Sequence, residues 1–141
     1  MSTNSKPVYD FLGYHLISAK VMRNQPFVCK EINIRVENIF HKNEEFSFTT
    51  LVDGSESKEA SFAFRFHARF SISDKKWADS LGGDDAVVSV LFPVVFPFIR
   101  QSIFSATNDS LGGIFIPIID LRGAKVTEGI RLIRADNPDN K

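Results

Sequence analysis

His15, His41 and His67 are the only imidazoles in the chain and Cys29 the only thiol. Acid–base catalysis or metal binding would have to draw on them together with nearby carboxylates. None of the three stands at a ligand spacing with Cys, Asp or Glu, so no zinc or other metal site is predicted. A serine hydrolase using His67 and a neighbouring serine would need an orienting acid as well. No G-x-S-x-G elbow occurs, and any triad would have to be drawn from unrelated segments. The acidic pairs Glu44-Glu45 and Asp84-Asp85 fall where a turn and a helix start are expected, so solvation and capping account for them. Gly82-Gly83 and Gly112-Gly113 lack the Lys-Ser/Thr of a phosphate loop and the G-x-G-x-x-G spacing, and read as turns. The residues predict no catalytic centre, no cofactor and no metal.

The other chemistry open to this chain is apolar. Its 141 residues include 14 Phe against one Trp and two Tyr, an aromatic surface almost without hydroxyl or N–H groups that need partners. Phe62, Phe64, Phe66 and Phe70 can form the core under a helix. Phe11, Phe27, Phe40, Phe92, Phe96, Phe98, Phe104 and Phe115 need burial too, and one helix over one small sheet leaves rings over. Surplus phenyl surface favours a protein interface or an apolar groove, and self-association is expected. With 17 basic residues against 17 acidic ones and a pI near 6.8, nucleic acid and anionic membrane are poor partners.

These residues must be positioned by a single domain spanning residues 1–141, with 1–10 and 135–141 as loose ends. Ile32, Ile34, Val36 and Phe40 alternate with Asn33, Arg35, Glu37 and Ile39, the pattern of a half-buried strand. After a polar turn over residues 41–44, Phe46, Phe48, Thr50 and Val52 resume the alternation as the partner in a hairpin. Residues 62–72 form the clearest strand, with Phe62, Phe64, Phe66, Ala68, Phe70 and Ile72 on one face and Ala63, Arg65, His67, Arg69 and Ser71 on the other. A weaker run, Tyr14 to Met22, makes a fourth strand. The expected fold class is α+β: a four-stranded antiparallel sheet with one dry face and one wet one, and a long helix packed on the dry face.

That helix is predicted from Asp84 or Asp85 as N-cap, with Val88, Leu91, Phe92, Val95, Phe96, Ile99 and Ile103 making it apolar over much of its circumference. Pro93 and Pro97 should start or kink it, and it should end by Asn108 or at Gly112-Gly113. Ile114 to Leu121, broken by Pro117, reads as an extended connector. Val126, Ile130 and Ile133 share a helical face in the segment 126–134. The apolar stretch Val87 to Ile99 falls short of the roughly 18 to 20 residues a bilayer span needs, so no membrane insertion is expected. The single Cys29 can form no internal disulfide, and with no secretory signal a cytoplasmic location is expected.

The block Phe62-Ala63-Phe64-Arg65-Phe66-His67-Ala68-Arg69-Phe70-Ser71, then Val95-Phe96-Pro97-Phe98-Ile99-Arg100, then Gly112-Gly113-Ile114-Phe115-Ile116-Pro117, resembles the SecB export-chaperone family. The aliphatic-Phe-Pro-aromatic-x-Arg segment is its most specific part, and the similarity covers roughly residues 14–121. The resemblance implies an ATP-independent holdase that binds unfolded polypeptide in apolar grooves, built as a homotetramer from two dimers. On that basis Phe96, Phe98, Ile114, Phe115, Ile116 and Ile118 are expected to line the client groove. Phe92, Arg100, Ile103 and Phe104 are expected at subunit interfaces. The outward Arg65, His67 and Arg69, the glycines Gly123 and Gly129, and a tail that is not strongly acidic depart from the family pattern and weigh against docking to the SecA motor. They suit a variant dedicated to the antitoxin of a toxin–antitoxin system at least as well. The alternative reading is a small apolar-ligand, lipid-type carrier whose sheet curves around the helix.

Overall fold

A strand whose alternate residues are Phe62, Phe64, Phe66, Phe70 and Ile72 can be satisfied only by a sheet that buries one face, and the chain builds that sheet around it. The computed structural model describes residues 8–26, 30–57, 59–121 and 124–133. Phe27, Cys29, Gly123 and the ends at 1–7 and 134–141 lie outside the described residues. The strands are β1 (Tyr9–Met22), β2 (Glu31–Lys42), β3 (Glu45–Ser57), β4 (Ala60–Ile72) and a short β5 (Ile130–Ile133). They form one antiparallel sheet in the order β1-β4-β3-β2-β5. The helices are α1 (Lys75–Ser80) and α2 (Asp84–Thr107).

The α+β architecture is as expected, with a fifth strand added. Ile130 to Ile133 pairs with Glu31 to Ile34 of β2, and the Val36 N–H donates to the Val126 carbonyl just outside the ladder. The helical face read into 126–134 is therefore corrected: four residues beyond a positive-φ Gly129 have little to gain from an isolated helical turn. The open edge of β2 supplies a row of backbone partners instead.

Two backbone irregularities reassign side chains. In β2 the pairing steps from Glu37 opposite Thr49 to Phe40 opposite Ser47, with Asn38 at φ 55. The extra residue reverses the alternation, so Ile39 packs toward the core while Phe40 is exposed on the outer face. The grouping of Phe40 with Ile32, Ile34 and Val36 is corrected accordingly. β1 begins at Tyr9, within the stretch expected to be loose, and carries bulges at Leu12 and Ile17.

The dry face of β2, β3 and β4 is covered by α2, whose Val88, Leu91, Phe92, Val95, Ile99 and Ile103 are fully buried. Eight of the Phe rings are buried in this layer; Phe11 and Phe104 are half-buried, and Phe40, Phe98 and Phe115 are exposed. α2 is capped by Gly83 rather than by either acid, and Asp84 and Asp85 occupy its first turn, where carboxylates favour the helix dipole. Both prolines lie inside it, so the helix begins well before either. Each proline removes one ladder bond, a loss offset by the apolar area the helix buries. α2 is 24 residues long and contains an 18-residue window of mean hydropathy 1.8, long and apolar enough to cross a bilayer, which corrects the shorter span read from Val87 to Ile99. In this fold its buried side is the lid of the sheet.

Candidate functional site: the groove between helix and connector

The helix ends at a buried polar knot. The Thr107 Oγ1 donates to the Ile103 carbonyl at 2.7 Å and accepts from the Ile114 N–H at 2.7 Å. The Arg23 guanidinium, almost fully enclosed, donates to the Thr107 carbonyl and pairs with Asp109 at 3.1 Å. A cation at the C-terminus of a long helix is where its dipole favours one. Between Thr107 and Ile114 the chain reverses, and Gly113 presses so closely on Phe104 that a Cβ there would stand 2.6 Å from a ring carbon.

From this root the connector, residues 114–121, runs extended alongside α2. Ile114 and Ile116 point down and are buried, whereas Phe115 is 65% exposed and Ile118 78% exposed. Extended backbone projects alternate side chains to opposite sides, which sets Phe115 outward between Ile114 and Ile116; at Pro117, which cannot donate and keeps the segment from becoming a sheet strand, the alternation breaks, and Ile118 is exposed beyond it.

Facing the connector is one stripe of α2 at helical spacing: Val90, Pro93, Pro97, Arg100 and Phe104. Two cavities lie in the seam. One, of about 260 Å³, is bounded by Pro97, Arg100, Gln101 and Phe104 on the helix and by Phe115 and Ile116 on the connector. The other, of about 400 Å³, lies between Ser89, Val90, Pro93, Phe96 and Pro97 and the residues Ile118 to Leu121. Pro97 and Arg100 border both, so the two halves form one groove. Because Pro93 and Pro97 have no N–H, the carbonyls of Ser89 and Pro93 lack their usual helical donor. The groove thus presents apolar walls, the complement of an apolar segment.

The expected site residues divide. Phe115 and Ile118 face the groove opening. Ile114 and Ile116 anchor the connector from below, and Phe96 is buried under the groove floor, stacked on Phe92 at 5.2 Å between centroids. Phe98, 48% exposed, lies on the other flank of α2 with Phe11 and Tyr14, centroids 5.6 and 5.8 Å away. The structure does not bring it to the connector. Phe92 and Ile103, expected at an interface, have no exposed surface: their helical angle points them at the sheet. Phe104 is half-buried against Gly113, and Arg100 is half-buried in the groove. Val90, Pro93, Pro97 and Leu121 were not singled out for the groove; the helical spacing of 90, 93, 97 and 100 is the signal that marks the first three.

A second apolar surface lies along β1, an edge strand carrying exposed Leu12, Leu16, Ile17, Val21 and Met22. On the outer sheet face His15 and His67 stand opposite each other with ring centroids 5.4 Å apart. Burial, then the like charges of His15 and Arg69, hold the His67 imidazole below its ordinary pKa, with Glu45 opposing. Arg65 and Arg35 both pair with Glu37 there. His41 is elsewhere, its Nδ1 2.8 Å from Asp84 Oδ1. Among the described residues no three His, Cys, Asp or Glu side chains gather into a metal-binding group.

No protein-family model matches the sequence, and no curated protein matches it. The structure is similar to that of the Mycobacterium tuberculosis Rv1957 SecB-like chaperone, solved in complex with a ChAD peptide from the Rv1956 HigA1 antitoxin. The TM-score is 0.57 at 14% identity, over 79% of this chain and 90% of that one. A Streptococcus agalactiae protein of unknown function aligns with a TM-score of 0.39 and 9% identity, over 78% of this chain and 97% of that one. At this identity the likeness is one of fold: with its antiparallel sheet and one long helix, the chain carries the SecB-like fold.

Proposed function

We propose that the chain is an ATP-independent holdase, a chaperone without a catalytic site or cofactor that keeps an extended non-native polypeptide in the groove between α2 and the connector. The observation that carries this reading is the pair Phe115 and Ile118, held outward over the apolar stripe of α2 by the buried Ile114 and Ile116. Each large apolar side chain a client buries there contributes roughly 1.5 to 3 kcal/mol. Contacts of this kind are non-directional and read foldedness rather than sequence. The peptide seen with the mycobacterial protein supports a polypeptide client and favours a dedicated antitoxin over export preproteins. The Arg65, His67 and Arg69 stripe remains the argument against SecA docking.

The working form is a cytoplasmic homotetramer, a dimer of dimers. Its support is the apolar edge of β1 and the adjoining flank of α2, where Phe98 is exposed beside Phe11 and Tyr14. A long edge with Leu12, Leu16, Ile17, Val21 and Met22 uncovered invites pairing with another strand.

Aggregation of a chemically denatured client, followed with and without the protein, tests the reading, with light scattering to give the oligomeric state. Phe115→Ser combined with Ile118→Ser should remove roughly 3 kcal/mol of client binding, about 100-fold in Kd, and leave the melting midpoint nearly unchanged. A monomer that ignores denatured protein and takes up a fatty-acid probe would replace the holdase with the carrier.

A further inference from the structure

We infer that Arg100 reads a carboxylate in the bound segment, so that the groove selects clients in which an acidic side chain lies between two bulky apolar ones. The inference rests on the groove being the client site and adds what that site prefers. Arg100 is the only charged residue of α2 after Asp85, and it stands where the two apolar cavities meet. Its guanidinium lies 5.9 Å from the centroid of the Phe96 ring, which is buried beneath it. A stacked guanidinium has its planar edge, with its fork of N–H donors, left for a partner.

No carboxylate of the described residues forms an ion pair with it. Arg23, Arg35, Arg65 and Arg131 each have one, in Asp109, Glu37, Glu37 and Glu31. Arg100 is half-buried among apolar walls, where pairing matters more than it does on open surface. Asp120 lies on the far wall of the larger cavity. A client carboxylate would complete the site in the two-pronged geometry that arginine favours. In an extended segment residues i, i+2 and i+4 face one side, so an acid at i+2 meets Arg100 while apolar residues at i and i+4 enter the two cavities.

Three acetylated, amidated fluorescent peptides with Leu at i and Phe at i+4, and Glu, Gln or Lys at i+2, test this by anisotropy against the full chain. The Glu peptide should bind about 10-fold tighter than the Gln peptide at low salt, the low end of what a charge-assisted hydrogen bond contributes. The Lys peptide should bind weakest. The gap should shrink as salt is raised. Arg100→Gln should erase the Glu preference, bringing the Glu and Gln peptides to equal affinity, and Arg100→Lys, which has charge but no fork, should retain part of it. Equal binding of Glu and Gln peptides by the native protein overturns the role of Arg100 and leaves the groove intact. Failure of all three to bind a protein that melts at its normal midpoint overturns the groove along with it.

Discussion

Two threonines in this chain make the same replacement a test of opposite signs. Thr107 Oγ1 is the acceptor for the buried Ile114 N–H, so Thr107→Val leaves that donor unpaired inside the protein. The cost is the lost hydrogen bond plus desolvation of an orphaned amide, together about 2 to 3 kcal/mol. Thr50 Oγ1 is buried on the dry face of β3 with no hydrogen-bond partner among the described residues. Thr50→Val replaces a stranded hydroxyl with a methyl of the same shape and should stabilise by about 1 kcal/mol. The two variants should therefore lie about 3 to 4 kcal/mol apart although their chemistry is identical. For a chain of this length the unfolding entropy is about 0.3 kcal/mol/K, so the melting midpoints should separate by roughly 10 °C. Urea titrations at one fixed protein concentration measure the difference, the slope of each confirming that only stability changed. Thr107→Ser keeps the acceptor and should lose only about 1 kcal/mol, for one methyl. If both valine variants shift the midpoint in the same direction, or Thr107→Val lies within about 0.5 kcal/mol of the parent, the hydroxyl does not hold the root of the connector as described.

Two more predictions follow from single contacts. Gly113→Ala places a methyl 2.6 Å from the Phe104 ring and 3.0 Å from its carbonyl oxygen; the ring must move, the connector must shift, and client binding should weaken along with a loss of about 1 to 3 kcal/mol of stability, read by the same titration and by the aggregation assay. His67 has a lowered pKa in the folded chain, from burial first and then from His15 and Arg69, so folding releases its proton. It contributes no pH dependence well above pH 6.5, and a penalty grows as pH falls from there through the lowered native value. His67→Gln should flatten the fall in stability between pH 7.5 and 5; an unchanged slope would show that His67 is not its source.

The strands are legible because period two is a local property: β4 needs only its own sequence to declare which face is dry, and Phe62 to Ile72 are buried as the alternation says. The long apolar helix is legible for the same reason, down to its end before Asn108. Composition by itself also determines that this chain has more phenyl rings than its core encloses, since Phe40, Phe98 and Phe115 remain outside. Tertiary structure alone decided the rest. One extra residue at Asn38 exchanged Ile39 and Phe40 between faces, and no local pattern announces a bulge set by the partner strand. β5 exists because β2 had an open edge, a fact about the sheet rather than about residues 130–133. The groove shows the division best. The connector and the helix were readable separately, but which helix residues meet the connector depends on the angle at which α2 lies on the sheet. That angle sends Phe92 and Ile103 inward, Phe98 to the β1 flank, and Pro93, Pro97 and Arg100 to the seam, because burying the widest apolar arc against the sheet outweighs any preference of a single ring.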